Sequence, residues 1–151
     1  MSLVFMRRMF VAVLAALLLP LTPSPAAADI QLFADSPLLV AVQAGDPDQV
    51  ETLLARHADS NQVDFQGKTP LIYAAVGGNV DVIDVILKFK PRIDQRDRLG
   101  NTALFYAASL GNAAALQALL KAGANKNLDN RQGTTPMMIA APQGHLAAVQ
   151  I

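Results

Sequence analysis

The chain has 151 residues, a length that suits one domain. Its 12 basic and 12 acidic residues balance, which argues against a strongly electrostatic partner such as nucleic acid. Because the chain contains no cysteine, disulfides, thiolate metal sites and a lipid anchor on cysteine are excluded.

The first 28 residues have the composition of an export signal. Two arginines and no acid precede "FVAVLAALLLPL", an apolar run that is short for a membrane span. Ala26 and Ala28 then fit the small-x-small pattern of a signal peptidase site, which predicts cleavage before Asp29. The sequence therefore predicts a cleaved signal peptide over 1–28 and an exported protein, with the periplasm as the expected compartment.

Alternatives stay open for this segment. If it is not cleaved, it would anchor the chain in the inner membrane, and a secreted protein fits the same pattern. Arg7 and Arg8 weakly resemble a twin-arginine signal, although the strongly apolar run after them favours the general secretory route. Their removal would leave 10 basic residues against 12 acidic ones, a net charge near −2.

A short motif returns with a fixed period after this segment. The copies "ADSPLLVAVQAGD", "GKTPLIYAAVGGN", "GNTALFYAASLGN" and "GTTPMMIAAPQGH" begin 33 residues apart, at Ala34, Gly67, Gly100 and Gly133. A period in this range is typical of stacked structural repeats, in which neighbouring units bury a core that one unit cannot bury alone.

Each copy predicts a turn followed by a short helix. In the second copy, Gly67 permits a tight turn, Thr69 can cap the helix through its hydroxyl, and Pro70 suits the first helical position. Gly78 favours a left-handed helix end. Between these positions the apolar residues recur at helical spacing, with a small Ala-Ala pair that lets a neighbouring helix approach closely.

A second apolar helix follows in each unit. Asp46 and Pro47 suit the cap and the first residue of the first such helix. Gly123 ends the third one, whereas His57 and Lys90 take that position in the earlier units, where a left-handed backbone strains them. The predicted core of the helix pairs consists of Leu71, Ala74, Ala75, Ile86, Leu87, Leu104, Ala107, Leu119 and Leu120.

The string "GKTPLIYAAVGGN…DVILKF" resembles the ankyrin repeat, and "GNTALFYAASLGN…LQALLKAGANKN" is the fullest match. The resemblance covers 34–151 and implies an all-α ankyrin-repeat solenoid of stacked helix-turn-helix units with hairpin loops. Three full repeats, at about 34–66, 67–99 and 100–132, precede an incomplete fourth at 133–151. Together they form an ankyrin-repeat domain over 29–151.

One departure from the family pattern concerns its histidine after Thr-Pro-Leu. The residues in its place are Leu39, Ile72, Phe105 and Met138. In the family the imidazole helps to tie adjacent loops by hydrogen bonds. Here we expect apolar packing to substitute for it, with a less rigid register between repeats.

The sequence gives no support for catalysis, a metal or a cofactor. His57 and His145 fall at turns, and no zinc-type pairing of histidines occurs. Asp81 and Asp84 fit a solvated helix face better than an acid pair. Five basic residues between positions 88 and 98 fit a solvated hairpin with local ion pairs, or a surface for an acidic patch on a partner. The prediction is a protein that is not an enzyme, with no catalytic, metal-binding or cofactor-binding residues.

The resemblance implies binding of another protein through the concave face, which hairpin tips and first helices form. The residues carried over to that face are Gln43, Phe65, Gln66, Lys68, Val76, Arg98, Leu99, Asn101, Ser109, Leu110, Arg131, Gln132, Thr134 and Gln143. Phe65 and Leu99 are apolar at positions predicted to be exposed, and aromatic residues and arginine are enriched in interface hot spots. Packing of Phe65 against the neighbouring hairpin is the alternative.

Two other roles fit the sequence. The fourth repeat stops inside its second helix, so an uncapped C-terminal end could stack with another copy as a self-assembling structural protein. Small exported bacterial proteins of this kind are sometimes associated with oxidative-stress enzymes such as catalases, an accessory role that the resemblance permits. The predicted partner is thus another protein, with no nucleic acid, no stable membrane insertion after signal cleavage, and a monomer or weak homo-oligomer as the state of the chain.

Overall fold

The computed structural model describes residues 36–140, which belong to one compact unit. Over this range the chain forms seven helices and no strand: α1 (Pro37–Ala44), α2 (Pro47–Ala55), α3 (Pro70–Gly77), α4 (Val80–Lys88), α5 (Ala103–Ser109), α6 (Ala113–Lys121) and α7 (Pro136–Ala140). None of these helices has the length and apolarity that crossing a bilayer requires. The predicted signal peptide and the C-terminal part of the fourth repeat lie outside the described residues.

The helices stack in two rows. The first helix of each unit contacts the first helix of the next unit, so that α1, α3, α5 and α7 form one row. The second helices α2, α4 and α6 form the other row, and α1, α3 and α5 each contact the second helix of their own unit. This arrangement is the helical solenoid that the 33-residue period predicts.

The helix ends follow from residues close by in the sequence. Thr69 Oγ1 accepts a hydrogen bond from the Ile72 amide at 3.2 Å, and Pro70 begins α3. Gly78 ends this helix with a left-handed φ of 65°. Asp46 caps α2 by accepting from the Gln49 amide at 3.0 Å. These caps are the predicted ones, whereas the side chain of Ser36 makes no capping hydrogen bond to α1.

Small residues at one register position bring the first helices together. The alanines of this position, all at most 1% exposed, are Ala41, Ala74, Ala107 and Ala140. Ile83 and Ile86 of α4 are fully buried and join the same core. Leu87 and Leu120 are less buried than predicted: both are half-buried and pack against the core without being part of it.

Backbone hydrogen bonds join successive hairpins. The Arg98 amide donates to the Gln66 carbonyl at 2.9 Å, and the Arg131 amide donates to the Leu99 carbonyl at 3.1 Å. Glycine permits this close approach, since a Cβ on Gly100 would lie 2.9 Å from the Arg131 nitrogen. Gly67 and Gly100, which open the second and third copies of the motif, therefore also make room for the next hairpin.

Asparagine side chains supply a second set of links between repeats. The Asn79 side-chain amide donates to the Gly45 carbonyl at 3.1 Å, and that of Asn112 donates to the Ala75 carbonyl at 3.0 Å. Ile72, which replaces the family's histidine, is fully buried. Apolar packing occupies that position, as expected, and the two asparagine side chains add polar links between repeats that the expectation did not include.

The ends of the second helices carry the predicted backbone strain. His57 and Lys90 have left-handed φ values of 68° and 50°, while glycine occupies the matching position at Gly123 with a φ of 94°. A side chain at a left-handed position costs about 1–2 kcal/mol. Two of the three second helices therefore end less favourably than the third.

We expect Lys90→Gly to raise the free energy of unfolding by about 0.5–1 kcal/mol. The relief of backbone strain exceeds the entropy that glycine adds to the unfolded chain, about 0.4–1 kcal/mol. Denaturant unfolding measures the change. Gly123→Ala is the matched control and should lose about 1 kcal/mol, the backbone strain less the entropy that alanine removes from the unfolded chain. Nothing lies within 4 Å of the added Cβ, so no steric contact adds to this loss. A loss of stability in Lys90→Gly would contradict the argument.

Candidate protein-binding site

The candidate site is built on three hairpin tips: the first tip at 64–68, the second at 97–101 and the third at 130–134. The amide of the opening residue donates to the carbonyl of the closing residue in each tip, at 3.1, 3.0 and 3.0 Å. These five-residue turns project the residues between their ends. The geometry of each tip is the same although its sequence differs.

An aspartate holds the first tip from inside. Asp64 Oδ1 accepts hydrogen bonds from the amides of Gln66 and Lys68, both at 2.8 Å. Its Oδ2 accepts from the Tyr73 hydroxyl of α3 at 2.6 Å. Because one carboxylate satisfies two turn amides and one phenol, it ties the tip to the helix behind it.

The second tip repeats the arrangement. Asp97 Oδ1 accepts from the amides of Leu99 and Asn101 at 2.9 and 2.8 Å, and Oδ2 accepts from the Tyr106 hydroxyl at 2.7 Å. Asp97 is itself buried. The same nine-residue spacing thus joins an aspartate and a tyrosine in two consecutive repeats.

The third tip uses a neutral variant of the pair. Asn130 Oδ1 accepts from the amides of Gln132 and Thr134, both at 3.0 Å. Its side-chain amide donates to Asn101 Oδ1 of the second tip at 3.0 Å. Ile139 stands where the other two repeats have tyrosine. The sequence carries a signal for this pattern that was not used above, since Asp64, Asp97 and Asn130 each stand three residues before the glycine that opens a copy of the motif.

Lys68 lies between the two tyrosines. Its ammonium nitrogen is 5.8 Å from the centre of the Tyr73 ring and 5.4 Å from the centre of the Tyr106 ring. Both distances are within the range of cation–π attraction. Lys68 is half-buried. Its charge therefore stabilises the packing of the two tyrosines behind the tips and is less accessible to a partner than an exposed lysine would be.

The electrostatics follow from this packing. Burial raises the pKa of Tyr73 to about 12, and the hydrogen bond to the Asp64 carboxylate acts in the same direction. Burial favours a higher pKa for Asp64 as well, but the hydrogen bonds from Tyr73 and from the Lys68 and Gln66 amides outweigh it, so its pKa is lowered. Burial and the bond to Asp97 also raise the pKa of Tyr106. At neutral pH Asp64 is an acceptor and Tyr73 a donor.

A groove of about 420 Å³ separates the first and second tips. Its lining consists of Phe65, Gln66, Lys68, Asp97, Arg98, Leu99 and Tyr106. Phe65 is 64% exposed and Leu99 54% exposed. The alternative that Phe65 is covered by the neighbouring hairpin is therefore wrong for most of its surface.

The structure brings together five predicted site residues in this groove: Phe65, Gln66, Lys68, Arg98 and Leu99. Those outside it are Arg131, Gln132 and Thr134 at the third tip, and Gln43, Val76, Ser109 and Leu110 at the C-terminal ends of α1, α3 and α5. Of these seven residues outside the groove, Ser109 and Thr134 are half-buried and the other five are exposed. Gln143 lies outside the described residues.

Asn101 is the predicted site residue that the structure corrects. It is 6% exposed. Its side-chain oxygen accepts a hydrogen bond from Asn130 of the next tip, and its backbone amide donates one to Asp97. Its side-chain amide also lies 3.4 Å from the Tyr106 hydroxyl. Asn101 therefore holds two tips together and is not available to a partner.

The basic residues between positions 88 and 98 do not act as one cluster. Lys88 pairs with Glu51 at 3.2 Å and Arg96 lies 3.9 Å from Asp129, each joining neighbouring repeats. Both pairs are exposed and contribute little stability. Among residues 36–140, no carboxylate forms an ion pair with Arg98, nor does any group of three acidic or histidine side chains suit a metal ion.

Comparison with known families agrees with this fold. A family model described as "Ankyrin repeats (3 copies)" matches the chain over 12–97, 38–130 and 89–151. Since these overlapping matches take in most of the chain, the protein belongs to the ankyrin-repeat family. Members of this family generally mediate protein–protein interactions as non-catalytic modules. The comparison with curated proteins found no match.

The raised pKa of Tyr73 can be measured by itself in a Tyr106→Phe variant, because the chain has two tyrosines. We expect tyrosinate absorbance to appear at about pH 12 instead of the ordinary 10.0. Since folding raises this pKa, the stability it contributes is present below pH 10.0 and is lost as the pH rises through about 12.

Tyr73→Phe, in which Tyr106 is the remaining tyrosine, is the control for this titration, and its tyrosinate should also appear above the ordinary pKa because burial and the hydrogen bond to Asp97 raise the pKa of Tyr106. Circular dichroism reports whether the helices remain folded during both titrations. Tyrosinate absorbance that appears near the ordinary pKa while the helices are intact would show that Tyr73 is not held by Asp64.

Proposed function

We propose that the protein is an exported, non-catalytic binding module that holds a partner protein on its concave face. The observation that carries the proposal is the pair of exposed apolar side chains, Phe65 and Leu99, on two tips that carboxylates hold in place. Exposed apolar side chains next to arginine are typical of interface hot spots. Because the tips are ordered by internal hydrogen bonds, binding costs less conformational entropy.

Further apolar surface supports a contact area that extends beyond the tips. Val76 of α3 is 39% exposed and Leu110, which follows α5, is 50% exposed. Both lie at the C-terminal ends of first helices, the second element of the concave face in this family. Exposed apolar groups of this kind, rimmed by polar residues, mark interaction surfaces more often than isolated ones do.

The proposal of export is supported by the sequence of residues 1–28. A basic start, an apolar run and the small residues Ala26 and Ala28 are the three parts of a secretory signal. A bacterial chain of this kind would act in the periplasm.

Cell fractionation, followed by intact mass spectrometry of the chain in the fraction that contains it, tests this part of the proposal. The expected mass is that of a chain beginning at Asp29. A chain that keeps Met1 and is recovered with the membranes would point to an anchor, and one recovered from the cytoplasm would contradict export. An Ala26→Lys, Ala28→Lys variant, which removes the small-x-small pattern, should remain unprocessed.

Affinity capture from the exported fraction tests the binding function. One bait is the full chain, and the second carries Arg98→Glu and Leu99→Glu at the second tip. Both substitutions lie at exposed positions, so the fold should be retained. We expect a protein that the first bait retains and the second loses.

A charge-matched control separates a specific contact from a general effect of charge. Lys121 ends α6 and Lys126 follows it, and both are exposed and belong to none of the three tips. Lys121→Glu with Lys126→Gln, which changes the net charge by the same amount, should retain the partner. If both sets of substitutions release it, or neither does, the tips are not the binding surface. Circular dichroism of all baits checks that the helices are intact.

A further inference from the structure

The groove between the first and second tips combines an apolar floor with an exposed positive charge. Phe65 and Leu99 line it from the two tips, and Tyr106 adds an aromatic ring. At about 420 Å³ it falls within the range of small binding clefts. It is therefore able to enclose a side chain of a partner instead of only meeting a flat surface.

The negative charges at this place point inward. Asp97 is buried, and its two oxygens accept hydrogen bonds from turn amides and from Tyr106. Asp64 is engaged in the same way by its own tip and by Tyr73. Both carboxylates have protein donors on each oxygen, so neither is arranged to receive a cationic side chain from outside.

The positive charges point outward. Arg98 and Arg131 are exposed and occupy the same register position of adjacent tips, which the bond from the Arg131 amide to the Leu99 carbonyl joins. Within the described part of the chain, neither arginine lies within ion-pair distance of a carboxylate. A guanidinium fork matches the geometry of a carboxylate and can bind it through two parallel hydrogen bonds.

We propose that this groove binds a linear segment of the partner in which a large apolar side chain lies next to an aspartate or glutamate. The apolar side chain enters between Phe65 and Leu99, and the carboxylate pairs with Arg98, with Arg131 beside it. This inference rests on the proposed binding function and gives it a chemical specificity.

Single-stranded nucleic acid is the other macromolecule that arginine and aromatic side chains suit. The observations favour an acidic protein segment, because Leu99 offers no stacking face and the chain as a whole carries no excess of basic residues. Binding of an oligonucleotide at the tips is accordingly an outcome that would overturn the proposal.

A phage-displayed library of random linear peptides, selected on the immobilised full chain, tests the proposal. We expect enrichment of peptides that place a carboxylate beside a leucine, methionine or phenylalanine. An enriched peptide, labelled with a fluorophore, should bind Arg98→Gln about tenfold more weakly, and its Asp→Asn or Glu→Gln counterpart should lose a similar factor against the unchanged protein.

A double-mutant cycle tests whether Arg98 and the peptide's carboxylate contact each other. Once Arg98 is glutamine, removing the peptide's carboxylate should have little further effect, as a double-mutant cycle requires of contacting groups. Leu99→Ser should weaken binding of the same peptide, and Lys121→Gln, at a residue that does not line the groove, should leave the affinity unchanged. Higher salt should weaken binding to the unchanged protein more than binding to Arg98→Gln.

The proposal would be overturned if no peptide is enriched, or if the enriched peptides lack a carboxylate or a large apolar residue. It would also be overturned if the protein binds an oligonucleotide and the Arg98→Gln variant loses that binding. Peptides that lose binding in Val76→Glu but not in Arg98→Gln would reject the groove and keep the concave face. Both proposals would be rejected if neither substitution affects peptide binding and the bait with Arg98→Glu and Leu99→Glu still retains the same protein in the capture experiment.

Discussion

No helix pair of this protein can bury its own apolar faces, and the rest of the structure depends on that constraint. Of the helices that the structure describes, α1 to α6 are seven to nine residues long, below the length at which an isolated helix is stable in water. Each becomes stable when its neighbours cover it, which is why the core runs without a break from Leu38 to Ala140. The alanine at one position of every first helix sets how closely neighbouring units approach. A larger side chain there would separate two repeats and expose the core on both sides.

Polar contacts at the tips solve a different problem. The hairpins project from the helices and bury little apolar area, so their order comes from hydrogen bonds. Two aspartates and one asparagine satisfy the turn amides from inside, and the bonds between the amides and carbonyls of adjacent tips fix their spacing. Since the third tip lacks the tyrosine partner, the turn itself needs only a side-chain acceptor, while the phenol connects the tip to the helix row.

Order at the tips is what makes exposed apolar side chains useful for binding. Phe65 and Leu99 are held on backbone that is already fixed, so a partner does not have to order them. Lys68 contributes to the order of the tips because its ammonium lies between the two tyrosine rings. The residues that support this surface are accordingly distinct from those that a partner would touch. Substitutions of the first kind should act on stability, and substitutions of the second kind on affinity.

The sequence by itself determined the repeat, because a motif that returns every 33 residues can be seen without a structure. It also determined the helix caps and the strained ends at His57 and Lys90, because these depend on residues within three or four positions of one another. It also identified the apolar residues at the tips. Only the tertiary structure decided which polar residues are exposed. Asn101 is buried by a partner 29 residues away, and Lys68 is half-buried between rings from two repeats. Such contacts form across the stack, so no local pattern around either residue could distinguish a supporting side chain from a free one.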